Sequence, residues 1–140
     1  KSEITGAEAR HYPDTDTLEI DLPTIRSYSK EGRLTVAQAG RAITNGDASE
    51  VQLFDKAVVV REGVQAAGSN ARTELRSDFF HLVVNTEEIR THLPVELKRG
   101  QADTFSANSM AYDNLARSLE LTGRVRGVLM PKSGRQNPAR

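Results

Sequence analysis

The chain has 140 residues, of which 37% are hydrophobic and 5% aromatic, and it carries 19 basic and 19 acidic side chains. This length is enough for one domain with its own core. A formal net charge of zero gives no overall attraction to nucleic acid or to an anionic membrane surface. The absence of cysteine excludes thiol catalysis, thiolate metal ligands and disulfide bonds.

The first clear pattern along the chain is an alternation of apolar and polar residues. Leu18, Ile20 and Leu22 share one face of an extended segment, and Glu19 and Asp21 occupy the other. A period of two residues is the signature of a strand with one buried face. The sequence therefore predicts a strand whose three apolar side chains point towards a core.

The middle of the chain continues this alternation. Val51 and Leu53 follow the segment Asn45-Gly46-Asp47, which predicts a hairpin because asparagine and glycine tolerate positive φ. Two later segments repeat the pattern with Phe80, Leu82 and Val84, and with Val95 and Leu97. These apolar residues are predicted to point inward between two sheets.

A strand–turn–strand unit recurs along the whole chain. The strands that follow the turns begin near Leu18, Val51, Ile89 and Leu119. A spacing of roughly 30–40 residues is typical of repeat architectures. Since no copy can bury its own apolar face, neighbouring copies must stack.

Two stretches, 35–42 and 109–121, have apolar residues at spacings that could also suit a helix. We expect β structure in both, because each is short and lies where the repeat requires a strand and a turn. Residues 1–130 are predicted to form one domain. Residues 131–140 have no apolar face, and we expect them to form a flexible tail.

The sequence offers no constellation of catalytic or metal-ligating residues. His11, His81 and His92 do not make a metal-type pair. The carboxylates are dispersed over predicted strand faces and turns, whereas a catalytic pair needs one desolvated member. We therefore expect no enzyme activity, no metal and no cofactor.

Residues 4–12, 18–32, 34–40 and 105–127 have an order that resembles the LptC family, which belongs to the lipopolysaccharide export machinery. The order of residues in 4–12, 18–32 and 34–40 resembles the N-terminal half of that family. Residues 105–127 are similar to the terminal unit that LptC shares with its relative LptA. The resemblance covers roughly residues 4–130.

The resemblance implies a fold and a role. The fold would be a twisted, open β-jelly-roll of two facing antiparallel sheets. The domain would lie in the periplasm, accept lipopolysaccharide from an inner-membrane ABC transporter and pass it to LptA. Family members carry an N-terminal membrane helix, so we expect an inner-membrane anchor upstream of Lys1, since the chain does not begin with methionine.

On this interpretation the alternating apolar residues line a slot for acyl chains. Tyr28 is expected near the mouth of the slot, because it matches a segment where the family carries an inward aromatic residue. The predicted lipid-binding residues are Leu18, Ile20, Leu22, Tyr28, Val51, Leu53, Phe80, Leu82, Val84, Val95, Leu97, Leu119 and Leu121.

The final strand is predicted to run from Leu121 to Leu129 and to be the docking edge for LptA. No later copy of the repeat covers it, so its backbone groups would be available to a partner strand. The residues assigned to this edge are Leu121, Val125, Val128 and Leu129.

Two other classes of function remain open at this stage. A β-solenoid or jelly-roll scaffold, such as an adhesion module, would have the same strands around a dry, filled interior. A polysaccharide-acting β enzyme would need an exposed cleft with clustered carboxylates or histidines.

Overall fold

The computed structural model describes residues 2–28, 32–62, 72–84, 86–100, 103–113 and 118–129, which form fourteen antiparallel β-strands and no helix. The strands are β1 (Ser2–Thr5), β2 (Glu8–Tyr12), β3 (Thr17–Asp21), β4 (Thr24–Tyr28), β5 (Leu34–Gln38), β6 (Arg41–Asn45), β7 (Glu50–Arg61), β8 (Thr73–Val83), β9 (Glu88–Thr91), β10 (Val95–Arg99), β11 (Asp103–Ala107), β12 (Ser109–Asp113), β13 (Ser118–Thr122) and β14 (Arg126–Val128).

The strands form two layers that share the two longest strands. Layer 1 has the order β1-β4-β5-β7-β8-β10-β11-β14, and layer 2 has the order β2-β3-β6-β7-β8-β9-β12-β13. In β7, residues 50–54 pair within layer 2 and residues 57–61 pair within layer 1. One long hairpin, β7–β8, therefore connects the layers at their centre.

The layers meet along a line where this hairpin bends, which we call the fold line. A β-bulge follows Phe54, and Asp55 and Lys56 adopt positive φ angles of 69° and 53°. Such a bulge bends the strand that contains it. Backbone hydrogen bonds extend the fold line to the neighbouring segments. The Leu22 N–H donates to the Gly40 carbonyl at 2.9 Å, and the Gly40 N–H donates to the Phe54 and Asp55 carbonyls at 3.0 Å.

The chain crosses between the layers at the fold line. The links β1–β2, β3–β4, β5–β6, β9–β10, β11–β12 and β13–β14 all do so, whereas the turns β2–β3, β6–β7 and β8–β9 lie at the opposite end of layer 2, where the paired ends of β12 and β13 also lie. The free ends of the two layers thus face each other, and we call the gap between them the mouth.

The four residues that mark the sequence repeat lie in one row across layer 2. Strand register joins them through the residues opposite them on neighbouring strands, and the complete row is His11, Leu18, Thr44, Val51, Leu82, Ile89, Tyr112 and Leu119. Each repeat therefore supplies one turn at the free end of layer 2 and the strand that follows it. This confirms that the fold is built from repeated strand–turn–strand units.

A second row crosses all eight strands of layer 1. It consists of Ile4, Ile25, Ala37, Val59, Leu75, Leu97, Phe105 and Gly127. Buried members of both layers belong to a single hydrophobic cluster. The layers therefore pack face to face, and the predicted all-β fold of two facing antiparallel sheets is confirmed.

The ambiguous segments are also strands. Residues 35–38 and 41–42 fall in β5 and β6, and residues 109–113 and 118–121 fall in β12 and β13, while residues 114–117 lie outside the described residues. The predicted hairpin at Asn45-Gly46-Asp47 joins β6 to β7, with Thr44 opposite Val51. The predicted tail, residues 131–140, lies outside the described residues.

An ion network on the outer face attaches the edge strand β2 to layer 2. The Arg10 guanidinium donates to both Asp21 carboxylate oxygens, at 2.8 and 3.2 Å, and Arg41 donates to Glu19 at 2.9 Å. The hydrogen bond from Arg41 lowers the pKa of Glu19, and the hydrogen bonds from Arg10 lower the pKa of Asp21. All five residues of β2 are exposed or only half-buried, so these contacts supplement a weak apolar attachment.

Truncation of a leucine in the core should lower the free energy of unfolding far more than truncation of a leucine at the fold line. Leu53 is 0% exposed and Leu22 is 64% exposed. We expect Leu53→Ala to lower the free energy of unfolding by about 2–5 kcal/mol and Leu22→Ala to change it by less than about 0.5 kcal/mol. Urea denaturation of the two variants measures this difference, and equal losses would contradict the assigned inner face.

Acid should loosen β2 before the centre of the sheet. A carboxylate with a lowered folded pKa stabilises the fold above its unfolded pKa, and this contribution disappears as the pH falls through the folded value. Below about pH 4, we expect hydrogen-exchange protection to fall in β2 while β7 remains protected. Asp21→Asn should show weakened β2 protection already at neutral pH, and an unchanged profile in that variant would refute this role of the network.

Candidate functional site

The inner face is closely packed at its centre and more open at its C-terminal end. Val51, Leu53 and Phe80, on the central strands, are at most 1% exposed. At the end of the same layer, Leu119 is 45% exposed although it shares an inner row with Val51. The two inner rows therefore form a largely apolar face, which in layer 2 runs from Leu18 to Leu119 and becomes accessible towards β13.

Most of the predicted lipid-binding residues lie on this face. Strand register and burial place there Leu18, Ile20, Val51, Leu53, Phe80, Leu82, Val95, Leu97, Leu119 and Leu121. Val84 follows β8 and packs against the same cluster. Glu19 and Asp21 point to the outer face, as the alternation predicted.

The predicted inward placement of Leu22 and Tyr28 is wrong. Leu22 lies beyond the end of β3 at the fold line, where a φ of 50° ends the strand alternation and leaves the side chain exposed. In β4, the inner face belongs to Ile25 and Ser27. Tyr28 therefore falls on the outer face of layer 1, with 49% of its surface exposed.

Sequence reasoning missed most of the inner face of layer 1. Ile25, Ala37, Val59 and Leu75 are all buried there. Ala37 lies in an alanine-rich segment and Leu75 stands between charged residues, so neither segment shows three apolar residues in alternation. In layer 2, Met110 was missed because its segment also lacks three alternating apolar residues, although strand register places it opposite Leu121.

Arg61 bridges the mouth between the layers. It lies at the end of β7 on the inner face of layer 1, opposite Thr35 and Thr73. Its Nη2 atom is 3.6 Å from the Glu87 carboxylate, and its guanidinium carbon is 5.6 Å from the centre of the Tyr112 ring. Both partners belong to layer 2, so this contact spans the two free ends.

The described strands leave four edges with one partner each. β1 pairs with β4 and β2 pairs with β3 at the N-terminal end, while β13 pairs with β12 and β14 pairs with β11 at the C-terminal end. The C-terminal end exposes several large apolar side chains: Leu119, Val125, Val128 and Leu129. An uncovered strand edge with apolar side chains is a surface for strand addition.

The prediction of one continuous strand from Leu121 to Leu129 is wrong. β13 ends at Thr122 in layer 2, Gly123 and Arg124 take positive φ angles of 81° and 47°, and the chain then enters β14 of layer 1. The four residues assigned to the docking edge are thus divided between the layers. Leu121 lies in β13, Val128 lies in β14, and Val125 and Leu129 flank β14.

Gly127, in β14, is the last residue of the inner row of layer 1. It lies opposite Phe105, and a Cβ atom at this position would come within 2.6 Å of the phenyl ring. The Phe105 ring therefore packs against the Gly127 backbone, and the inner row of layer 1 ends at a residue without a side chain.

Two concave surfaces border this region. One, of about 380 Å³, lies at the C-terminal end of layer 2 and is lined mostly by outer-face residues such as Arg90, Ala111 and Glu120. The other, of about 620 Å³, lies on the outer side of layer 1, where Arg76, Glu96 and Arg126 line it. Neither surface continues the inner face, although Tyr112 and Leu119 of the inner row also line the first.

The described residues contain no group of three or more histidine, aspartate or glutamate side chains that could hold a metal ion. His11 contacts Asp16 at 3.2 Å and His81 contacts Glu50 at 3.0 Å, on separate strands. In the same part of the chain, we find no helix of the length and apolarity that a membrane span requires.

Comparison with known proteins agrees with this geometry. The fold is similar to the crystal structure of LptH from Pseudomonas aeruginosa, the LptA-homologous periplasmic component of its lipopolysaccharide transport device. The TM-score is 0.76 at 10% sequence identity, over 94% of this chain and 96% of LptH. No curated protein shows significant sequence similarity.

The sequence itself matches a family over nearly its whole length. Residues 1–130 match the family described as lipopolysaccharide-assembly, LptC-related. This span contains both layers, the mouth and both pairs of edges. The jelly-roll fold with uncovered edges and the family match together show that the chain belongs to the LptC-related family of lipopolysaccharide-assembly proteins.

Proposed function

We propose that this protein binds the acyl chains of lipopolysaccharide between its two layers and passes the lipid along the inner face to a partner jelly-roll. The observation that carries this proposal is the pair of inner rows that cross both layers, apolar from Ile4 to Phe105 in layer 1 and largely apolar from Leu18 to Leu119 in layer 2. The family and the fold support a periplasmic component of lipopolysaccharide transport.

The physical chemistry of the inner face suits a lipid with a charged head. Acyl chains gain roughly 25 cal/mol for each Å² of apolar surface removed from water, and most residues of the inner rows are apolar. The phosphorylated sugar must remain hydrated, because burial of an unpaired charge is costly. Separation of the layers at the mouth would allow both, since it would open the apolar face to solvent along one side.

The closely packed centre means that the layers must separate before a chain enters. Leu53 and Phe80 leave no exposed surface there, so lipid has to replace contacts between the layers. The same packing favours the alternative function, a jelly-roll scaffold with a filled interior and no lipid. Labelling by lipid from inner positions distinguishes the two.

In this proposal, the direction of transport runs from the N-terminal edge to the C-terminal edge. The N-terminal edge would face the inner-membrane ABC transporter that supplies the lipid, and ATP hydrolysis there would drive transport without a cofactor in this chain. The C-terminal edge would pair with LptA. Anchoring in the inner membrane by a preceding helix belongs to the same proposal and rests on the family resemblance.

Photo-crosslinking should separate the inner face from the outer face of a single strand. Leu119 and Leu121 lie on inner rows of β13, and Glu120 between them lies on the outer face. With a photoreactive amino acid at each position, we expect lipopolysaccharide to label at 119 and 121 and at least several-fold less at 120. Equal labelling at all three positions, or none in folded protein, would favour the scaffold.

Proline in β14 should weaken association with LptA. Pairing by strand addition uses backbone N–H groups, and proline lacks one. We expect Arg126→Pro to reduce LptA binding by roughly ten-fold, the effect of about 1.4 kcal/mol, whereas Arg126→Ala, which keeps the N–H, should bind normally.

Melting temperature shows whether Arg126→Pro acts on the edge or on the fold. If the variant is unstable, Val125→Pro replaces it, because Val125 lies outside the ladder with β11. A proline variant that keeps the native melting temperature and binds LptA unchanged would refute the docking edge.

A further inference from the structure

Arg61 is a buried guanidinium whose hydrogen-bonding capacity is poorly used. Its side chain is only 11% exposed. The Nε atom is buried and has no hydrogen-bond acceptor among the described residues. The Glu87 carboxylate lies 3.6 Å from Nη2, which is longer than the 2.7–2.9 Å or so of a charge-assisted hydrogen bond.

The unused donors of Arg61 lie on one edge of the guanidinium. Nε–H and the nearer Nη2–H point in parallel, and this fork matches two oxygens of a carboxylate or a phosphate. Glu87 approaches Nη2 with one oxygen at 3.6 Å and leaves Nε unpaired. A buried donor without an acceptor is destabilising, so the site favours an anion that fills the whole fork.

The surroundings of Arg61 suit a tetrahedral oxyanion. Thr35 and Thr73 lie directly opposite Arg61 on the neighbouring strands, within reach of a group held at its fork because strands are about 4.8 Å apart. Arg99 follows in the same row, opposite Thr73, and Asp103 lies opposite Arg99. Two hydroxyls, a second guanidinium and the carboxylate opposite that guanidinium therefore lie on the same inner face at the mouth.

We propose that Arg61 binds a phosphate of the lipid headgroup at the mouth, and that this phosphate displaces Glu87. This inference rests on the proposed function and adds the residue that recognises the phosphorylated head. Because Glu87 belongs to layer 2, its displacement removes a contact between the free ends as the lipid enters. Binding of the headgroup phosphate and loss of this contact between the layers therefore occur together.

The test compares two lipids that differ only in phosphate. The fluorescently labelled protein is titrated with purified lipopolysaccharide and with the same preparation after removal of its lipid A phosphates. We expect the wild type to prefer the phosphorylated lipid. Arg61→Gln should bind that lipid roughly ten-fold more weakly, in line with loss of a charged hydrogen bond, and should bind the dephosphorylated lipid as the wild type does.

Two further variants make the comparison specific. Arg76→Gln removes the same charge from the outer face of layer 1, where Arg76 is exposed, and it should retain the full preference. Glu87→Gln removes the competing carboxylate, so we expect it to bind the phosphorylated lipid several-fold more tightly than the wild type. A Glu87→Gln variant with wild-type affinity would show that phosphate does not compete with Glu87.

The outcomes separate this inference from the proposed function. If Arg61→Gln binds lipid but keeps the wild-type preference, or weakens both lipids equally, the phosphate site is refuted and lipid binding stands. If the wild type binds neither lipid, the proposed function fails and the phosphate site fails with it.

Free phosphate is tested separately by calorimetry with inorganic phosphate alone. Binding that requires Arg61, without any preference between the two lipids, would show a site for free anions and overturn the headgroup assignment. If Arg61→Gln does not fold, judged by its melting temperature, Arg61→Lys replaces it. Lysine keeps the charge without the fork, and a full wild-type preference in that variant would overturn bidentate binding.

Discussion

The bend in the β7–β8 hairpin is the constraint on which the rest of the structure depends. Each long strand pairs with one set of neighbours before the bend and with another set after it, so both layers are built outward from the same two strands. The bulge at Asp55 and Lys56 allows this. Without it, the ladder would continue in one direction and the apolar faces would have no opposing layer to cover them.

Local alternation predicted layer 2 well, because the direction of a strand side chain depends on its neighbours along the chain. Leu18 and the rows beside it could be assigned from sequence in this way. Leu22 and Tyr28 could not, since the left-handed φ at Leu22 ends one alternation and β4 begins another with the opposite phase. The meeting of Arg61 with Glu87 depends on the fold line, which joins residues distant in sequence and has no local signal.

The inner face of layer 1 was harder to predict because many of its residues are small. Ala37, Ala57 and Ala107 are buried there, and Gly127 ends the row beneath the Phe105 ring. Small residues add little to a hydrophobic pattern, yet they allow the layers to approach closely. They also explain how a chain with few aromatic residues closes its core, since narrow spacing replaces bulk.

The number of strands in each layer has a further consequence for capacity. Eight strands spaced by about 4.8 Å give an inner face about 35 Å long. One leaflet of a bilayer is about 15 Å deep, half of the hydrocarbon thickness. On the proposed function, a lipid lying along the rows would occupy about half of the face, which leaves room for a second lipid in single file.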